Sequence, residues 1–165
     1  MNGSAQNQPE AHAANEHARP LTLRLPRAVD QALRAHAERA YPCECCGVLL
    51  GVRAADGWRV TDSVATANAS AGELRSHYQI APRDLVKIER AARERGWMIA
   101  GFYHSHPGHP AHWSATDLDE AHWIGCSYVI TAVENGRAAE TRSFALAGAS
   151  EETKRFVPET IEFLD

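Results

Sequence analysis

The chain has no apolar run approaching the ~20 residues that a membrane span requires. It is therefore read as a soluble, cytoplasmic protein with no membrane partner. It also has no excess of positive charge: 17 Lys and Arg stand against 21 Asp and Glu, for a net charge of −4. That balance offers no basic patch for a phosphate backbone, so nucleic acid is not expected as a partner. Cysteine is scarce and unevenly spread, at Cys43, Cys45, Cys46 and Cys126. Three of the four crowd one short segment, which is not a disulfide framework. In a reducing compartment they would be thiols. A zinc knuckle at C-x-C-C is disfavoured, because strand alternation would turn Cys43 and Cys45 away from Cys46; small buried apolar residues are the simpler reading. Met1 to Arg19 carries no apolar core of a signal peptide and reads as a disordered tail. No internal repeat and no H-E-x-x-H are present.

What remains, residues 20–165, is long enough for a single domain with a real core, and 44% of the chain is hydrophobic. Leu21, Leu23 and Leu25 alternate with polar residues, so Pro20 to Leu25 reads as an edge or first strand. A helix is expected from Arg27 to Ala40, with Val29, Leu33, His36, Ala37 and Ala40 on one face, and Pro42 bars its continuation. Val48 to Val64 reads as a hairpin around Asp56-Gly57. Asn68 to His77 is small and polar, a surface loop. A second helix, Arg83 to Arg95, turns Leu85, Ile88 and Ala92 inward and stops at Gly96. After a third helix, Ser114 to Trp123, come a strand at Ser127 to Val133, the turn Asn135-Gly136 and a return strand to Ala145. The tail from Glu151 to Asp165 is expected to pack back on the domain, but not as one helix through Pro158. The class is α+β: a mixed, mostly antiparallel sheet flanked by helices.

One stretch carries chemistry. Trp97-Met98-Ile99-Ala100 leads as a buried strand into Gly101-Phe102-Tyr103-His104-Ser105-His106-Pro107. Alternation places Phe102, His104 and His106 on one strand face. Two imidazoles so placed can both reach one zinc ion at ~2.0–2.1 Å. Pro107 ends the ladder, and a loop returns Ser114-Ala115-Thr116-Asp117 at a helix start, with Asp117 as a possible third ligand. Three protein ligands and an open position describe a catalytic site. His109 and His112 lie near enough in sequence to replace one of the three. Ser114 followed by an acid three residues later is also simply a good helix cap. Upstream, Glu44 stands at the mouth of an apolar strand, Cys46 to Leu50. It is a linker acid facing solvent or, if half-buried beside a metal-bound water, a general base.

Glu44 within P-C-E-C-C-G-V-L-L-G, together with H-S-H-P…S-A-T-D from His104 to Asp117, resembles the JAMM (MPN-plus) zinc metalloprotease family. Weaker echoes at Tyr78-Gln79-Ile80-Ala81-Pro82 and Tyr128-Val129-Ile130 extend the resemblance from Leu21 to Phe144. It implies a JAMM/MPN-like (cytidine-deaminase-like) fold and one Zn2+ per chain on His104, His106 and Asp117. It further implies Glu44-assisted attack of a zinc-bound water, with the Ser114 hydroxyl stabilising the oxyanion. The compact chain looks like the stand-alone bacterial and archaeal members. For those, the implied substrate is an amide bond at the C-terminal tail of a ubiquitin-like, sulfur-carrier protein. Tail binding would use a sheet edge, with the loops Asn68 to His77 and Pro107 to Trp113 lining the cleft. The same fold also serves as a non-catalytic interaction or scaffold module, whose members usually lack the zinc ligands.

Overall fold

The computed structural model describes residues 21–165, so the tail expected at Met1 to Arg19 lies outside the described residues. In chain order the elements are β1 (Thr22–Pro26), α1 (Arg27–Ala40), β2 (Cys46–Ala54), β3 (Gly57–Thr66), α2 (Pro82–Glu94), β4 (Met98–Pro107), α3 (Ala115–Glu120), β5 (Ser127–Glu134), β6 (Arg137–Ala147) and β7 (Arg155–Leu164). Among the described residues, no helix is long and apolar enough to cross a membrane.

The strands join in the order β1-β3-β2-β4-β5-β6-β7, and β7 pairs back on β1 to close the sheet into a barrel. Pairing is antiparallel at β2–β3, β2–β4, β5–β6 and β6–β7, and parallel at β1–β3, β4–β5 and β1–β7. The mixed, mostly antiparallel α+β reading therefore holds, while closure was not anticipated. Pro20 to Leu25 was read as an edge or first strand; β1 is first but not an edge, because β3 and β7 flank it. The tail does pack back, as β7. Its first half pairs with β6 through Glu159 and its second half with β1 from Thr160 onward. Pro158 falls in the first half, where its missing N–H removes no ladder bond on the β1 side.

Local chemistry explains the corners. Asn135 and Gly136 both take positive φ, 49° and 79°, the backbone that a two-residue hairpin turn requires. Gly101 lets β4 approach β5, since a Cβ there would collide with the Ser127 carbonyl. The third helix is shorter than Ser114 to Trp123. It ends at Glu120 because Lys154 Nζ takes the carbonyls of Asp119 and Ala121, each at 2.9 Å, and the Trp123 N–H goes to the Tyr128 hydroxyl at 3.1 Å.

Two apolar clusters line the two faces of the sheet. One joins α1 (Val29, Leu33, Ala37) to Leu23, Leu25, Leu49, Val60, Tyr103 and Val129. His36 is half-buried there and shares a hydrogen bond between its Nδ1 and the Tyr103 hydroxyl at 2.9 Å. The other holds Val48, Phe102, Tyr128, Ile130, Phe144 and Phe156, with Leu85 and Ile88 of α2 packed against it. Burying each such side chain is worth about 1.5–3 kcal/mol. Of α2, only Ala92 is fully buried, so this helix lies lightly on its face.

Candidate metal centre

The alternation expected of β4 is present. Phe102 joins the cluster under α2, Tyr103 joins the one under α1, and His104 and His106 continue the Phe102 side. Ser105, fully buried on the other side, accepts the Cys45 N–H at 2.9 Å, and its own N–H reaches the Cys45 carbonyl at 3.1 Å. That strap, with Cys46 in register with His104, brings the residues before β2 alongside the two histidines.

The Nε2 atoms of His104 and His106 lie 3.0 Å apart. Asp117 closes the group: Oδ1 is 3.2 Å from His104 Nε2 and Oδ2 is 3.4 Å from His106 Nε2. One ligand atom from each of the three residues falls within 4.8 Å of the others. His109 and His112 stay outside this group and are exposed; His112 Nδ1 faces the Trp113 carbonyl at 3.0 Å, and its ring packs on Phe144. The cysteines also stay outside it. Burial pushes the Cys45 thiol up to about 11 and raises Cys46, so both are neutral thiols. This fits the apolar reading of these two and leaves neither as a thiolate to bind metal or attack a carbonyl.

Asp117 arrives through the helix cap. Ser114 Oγ accepts the Asp117 N–H at 3.1 Å, while Asp117 Oδ2 accepts the Ser114 N–H at 2.6 Å, a reciprocal capping box. The cap and the candidate ligand are thus the same carboxylate. Burial alone would raise Asp117, but the hydrogen bonds from His104 and His106 outweigh it and hold the carboxyl far below its usual range. Burial lowers His104 and keeps it neutral; His106, whose Nδ1 meets the Pro110 carbonyl at 3.0 Å, is raised on balance by Asp117 and that carbonyl. Hydrogen-bonded at Nδ1, His106 offers a lone pair at Nε2. Two imidazole nitrogens and an ionised carboxylate at these separations repel unless a proton or cation lies among them. Nitrogen and carboxylate donors in this number suit zinc.

Glu44 precedes β2 and is buried, with 7% of its surface exposed. Burial, reinforced by the charges of Asp117 and Glu120 and opposed by His106, pushes its carboxyl up to about 8. It is therefore not a linker acid in solvent but a buried carboxyl that feels the charges of the candidate group. Sequence reasoning assigned no role to Tyr78, whose ring stacks on His104 with centroids 4.4 Å apart; the only hint was the echo at Tyr78–Pro82. Beside it, Ile80, Leu85, Phe102, Trp123 and Tyr128 line a cavity of about 350 Å3, with exposed Glu120 and His122 at its polar side. Of the loops expected to line the cleft, Pro107 to Trp113 reaches the group through the Pro110 carbonyl at His106, and Asn68 to His77 meets the end of α3, His77 Nε2 lying 2.8 Å from Glu120 Oε1.

A family profile described as prokaryotic homologs of the JAB domain matches residues 26–147. The chain belongs to this family. The resemblance read from Glu44 and the His104–Asp117 string is thereby borne out. Among relatives, a desampylase of Haloferax volcanii is 40% identical over 89 residues, covering 54% of this chain and 62% of its own length. The CysO-cysteine peptidase of Mycobacterium tuberculosis is 30% identical over 70% of this chain and 76% of its own. A probable TtuB-protein conjugate cleaving protease of Thermus thermophilus is 34% identical over 72% of this chain and 75% of its own. The chain thus spans less than two thirds of the desampylase and about three quarters of the other two. Among solved structures, a protein of Desulfitobacterium hafniense superposes with a TM-score of 0.71 at 28% identity, covering 88% of this chain and 93% of that one. A protein of Salinibacter ruber gives 0.62 at 34% identity, covering 86% and 91%. The family match thus runs from the start of α1 through β6.

Proposed function

We propose that this JAB-family chain is a zinc metallopeptidase that hydrolyses an amide bond at the C-terminal tail of a ubiquitin-like protein, most simply a sulfur carrier. The observation that carries the reading is the convergence of His104, His106 and Asp117 beside the buried Glu44. The relatives named for cleaving a CysO-cysteine adduct and a TtuB-protein conjugate support the choice of bond.

His104, His106 and Asp117 would hold one zinc ion per chain. Zinc, when bound, supplies Lewis acidity to water and to the scissile carbonyl. The rest falls to side chains. Glu44, buried beside the candidate ligands, takes a proton from the attacking water and returns it to the departing amine. Ser114 uses its oxygen lone pair on the Asp117 N–H, which leaves the hydroxyl hydrogen for the carbonyl oxygen as charge develops there. The cavity beside Tyr78, with its mixed apolar and polar lining, accommodates a substrate side chain. No covalent enzyme intermediate is needed.

Zinc content by mass spectrometry tests this directly. One zinc per wild-type chain is expected, and none in His104→Ala/His106→Ala. A ubiquitin-like protein extended by one C-terminal residue should then be shortened by the wild type alone. A wild type that takes up no zinc from zinc-replete medium would overturn the reading in favour of a non-catalytic interaction module.

A further inference from the structure

Glu44 sits outside β2, so no ladder bond fixes it. Both of its backbone polar groups are nevertheless taken. Its N–H donates to the Leu74 carbonyl at 2.7 Å, and its carbonyl accepts from Asn68 Nδ2 at 3.2 Å. The same Nδ2 donates to the His77 carbonyl at 2.8 Å. Asn68 Oδ1 accepts the N–H of Ser70 at 3.0 Å and of Gln79 at 3.1 Å. Both donors and both acceptor positions of the amide are thus occupied, and the four partners themselves determine which end is nitrogen.

Two of those partners, His77 and Gln79, flank Tyr78. Its ring lies against His104 at 4.4 Å with 23° between the planes. That contact is important because His104 lacks the usual support. A metal-ligating histidine normally donates its second ring nitrogen to a carboxylate or carbonyl, which sets the ring's orientation. His106 has such a partner in Pro110, whereas the buried Nδ1 of His104 has none among the described residues. Packing by Tyr78 takes the place of that hydrogen bond.

We propose that Asn68 is the positioning residue of this site: its single amide ties the backbone on both sides of Tyr78 to the backbone of Glu44, and so holds the base and the ring that braces His104 in one frame. The inference rests on the proposed roles of Glu44 and His104. Asn68 touches neither substrate nor metal and acts through those two residues. Its signal in the sequence is weak, since it is one asparagine in a small, polar loop.

The test uses Asn68→Asp and Asn68→Ala in the full chain, each also combined with Glu44→Gln. Asn68→Asp keeps the two acceptor contacts, loses both donated bonds and sets an oxygen against the carbonyls of Glu44 and His77. Turnover of a ubiquitin-like protein extended by one residue should fall on the order of 10- to 100-fold in kcat, with little change in KM. Zinc affinity, read by chelator competition, should weaken severalfold in both variants. In the Glu44→Gln background, measured at saturating zinc, the residual single-turnover rate should fall no further, while the weakening of zinc affinity persists. An equal fold-loss of rate in both backgrounds would make Asn68 a general structural residue and overturn the proposal. So would unchanged kcat and zinc affinity in a folded Asn68→Asp, or loss of the fold in both variants. Full turnover by Glu44→Gln alone would fail the base assignment instead, and the zinc measurement would still report on the arm through Tyr78.

Discussion

At the scale of single residues, the proposed mechanism separates metal binding from proton transfer. Glu44 enters from the segment before β2 and feels Asp117 through its charge, whereas Asp117 is bound up with both histidines and with its own helix cap. Glu44→Gln should therefore retain zinc and lose turnover by about 10²–10⁴-fold, the usual worth of a positioned acid or base. Parallel zinc and rate measurements check this, and near-normal turnover would remove Glu44 from the chemistry. Ser114→Ala should lose rate by ~10²–10³-fold and stability by about 1 kcal/mol, because the hydroxyl that caps the helix is also the oxyanion donor of the proposed mechanism. A melting curve beside the rate separates the two losses. Asp117→Asn should bind zinc more weakly, and unchanged affinity would return attention to His109 or His112. The spacing H-x-H-P…S-x-x-D made these residues legible in the sequence, because strand alternation and helix capping are local rules. Tyr78 and Asn68 were not legible: stacking and a side-chain clamp depend on which loop folds beside which strand, and no periodicity encodes that.

At the scale of elements, α3 is the vulnerable part. It has six residues, buries none of them, and carries both Ser114 at its cap and Asp117 in its first turn. Lys154, arriving from the segment before β7, holds its far end through the carbonyls of Asp119 and Ala121 and is itself paired with Glu151 at 2.7 Å. Lys154→Met should lower stability by roughly 1.5–3 kcal/mol, the range for hydrogen bonds to a charged group. It should also weaken zinc binding by freeing the helix that presents Asp117. Thermal melting with and without zinc would show this, and an unchanged zinc-dependent shift would mean that the capping box alone places the ligand. Helices α1 and α2 were readable to within a residue or two from apolar spacing, Pro82 and Gly96. The end of α3 was not, since a lysine thirty residues downstream decides it.

For the molecule as a whole, closure of the barrel sets the energetics. At the point where β7 changes partner, Glu159 is buried and accepts hydrogen bonds from Ser127 Oγ at 3.1 Å and Ser143 Oγ at 2.6 Å. Burial raises its carboxyl above the ordinary value, and the two serines only partly oppose this. A raised acid favours the fold while protonated. Its contribution is complete below the pKa of the unfolded chain and is lost as pH rises through the folded value. Glu159→Gln keeps a hydrogen-bonding shape without the charge, so it should melt no lower than wild type at pH 8 and lose that advantage at pH 5. Parallel pH dependence of the two melting temperatures would show that Glu159 does not titrate with folding. The sequence displayed the alternation of nearly every strand but not their order around the barrel, because parallel pairs such as β1–β7 join residues far apart in the chain.

That order has a consequence for synthesis. The first strand has no neighbour close behind it: its partners begin at Gly57 and Thr160. Until the segment from Arg155 to Leu164 is made, a nascent chain carries two unsatisfied borders, one along β1 and one along β6, each able to recruit a strand from another molecule. In the finished barrel β7 covers Ser143 to Ala147 of β6 with its first half and Thr22 to Pro26 of β1 with its second. The hazard belongs to the interval on the ribosome, and a stop codon before Arg155 would make it permanent.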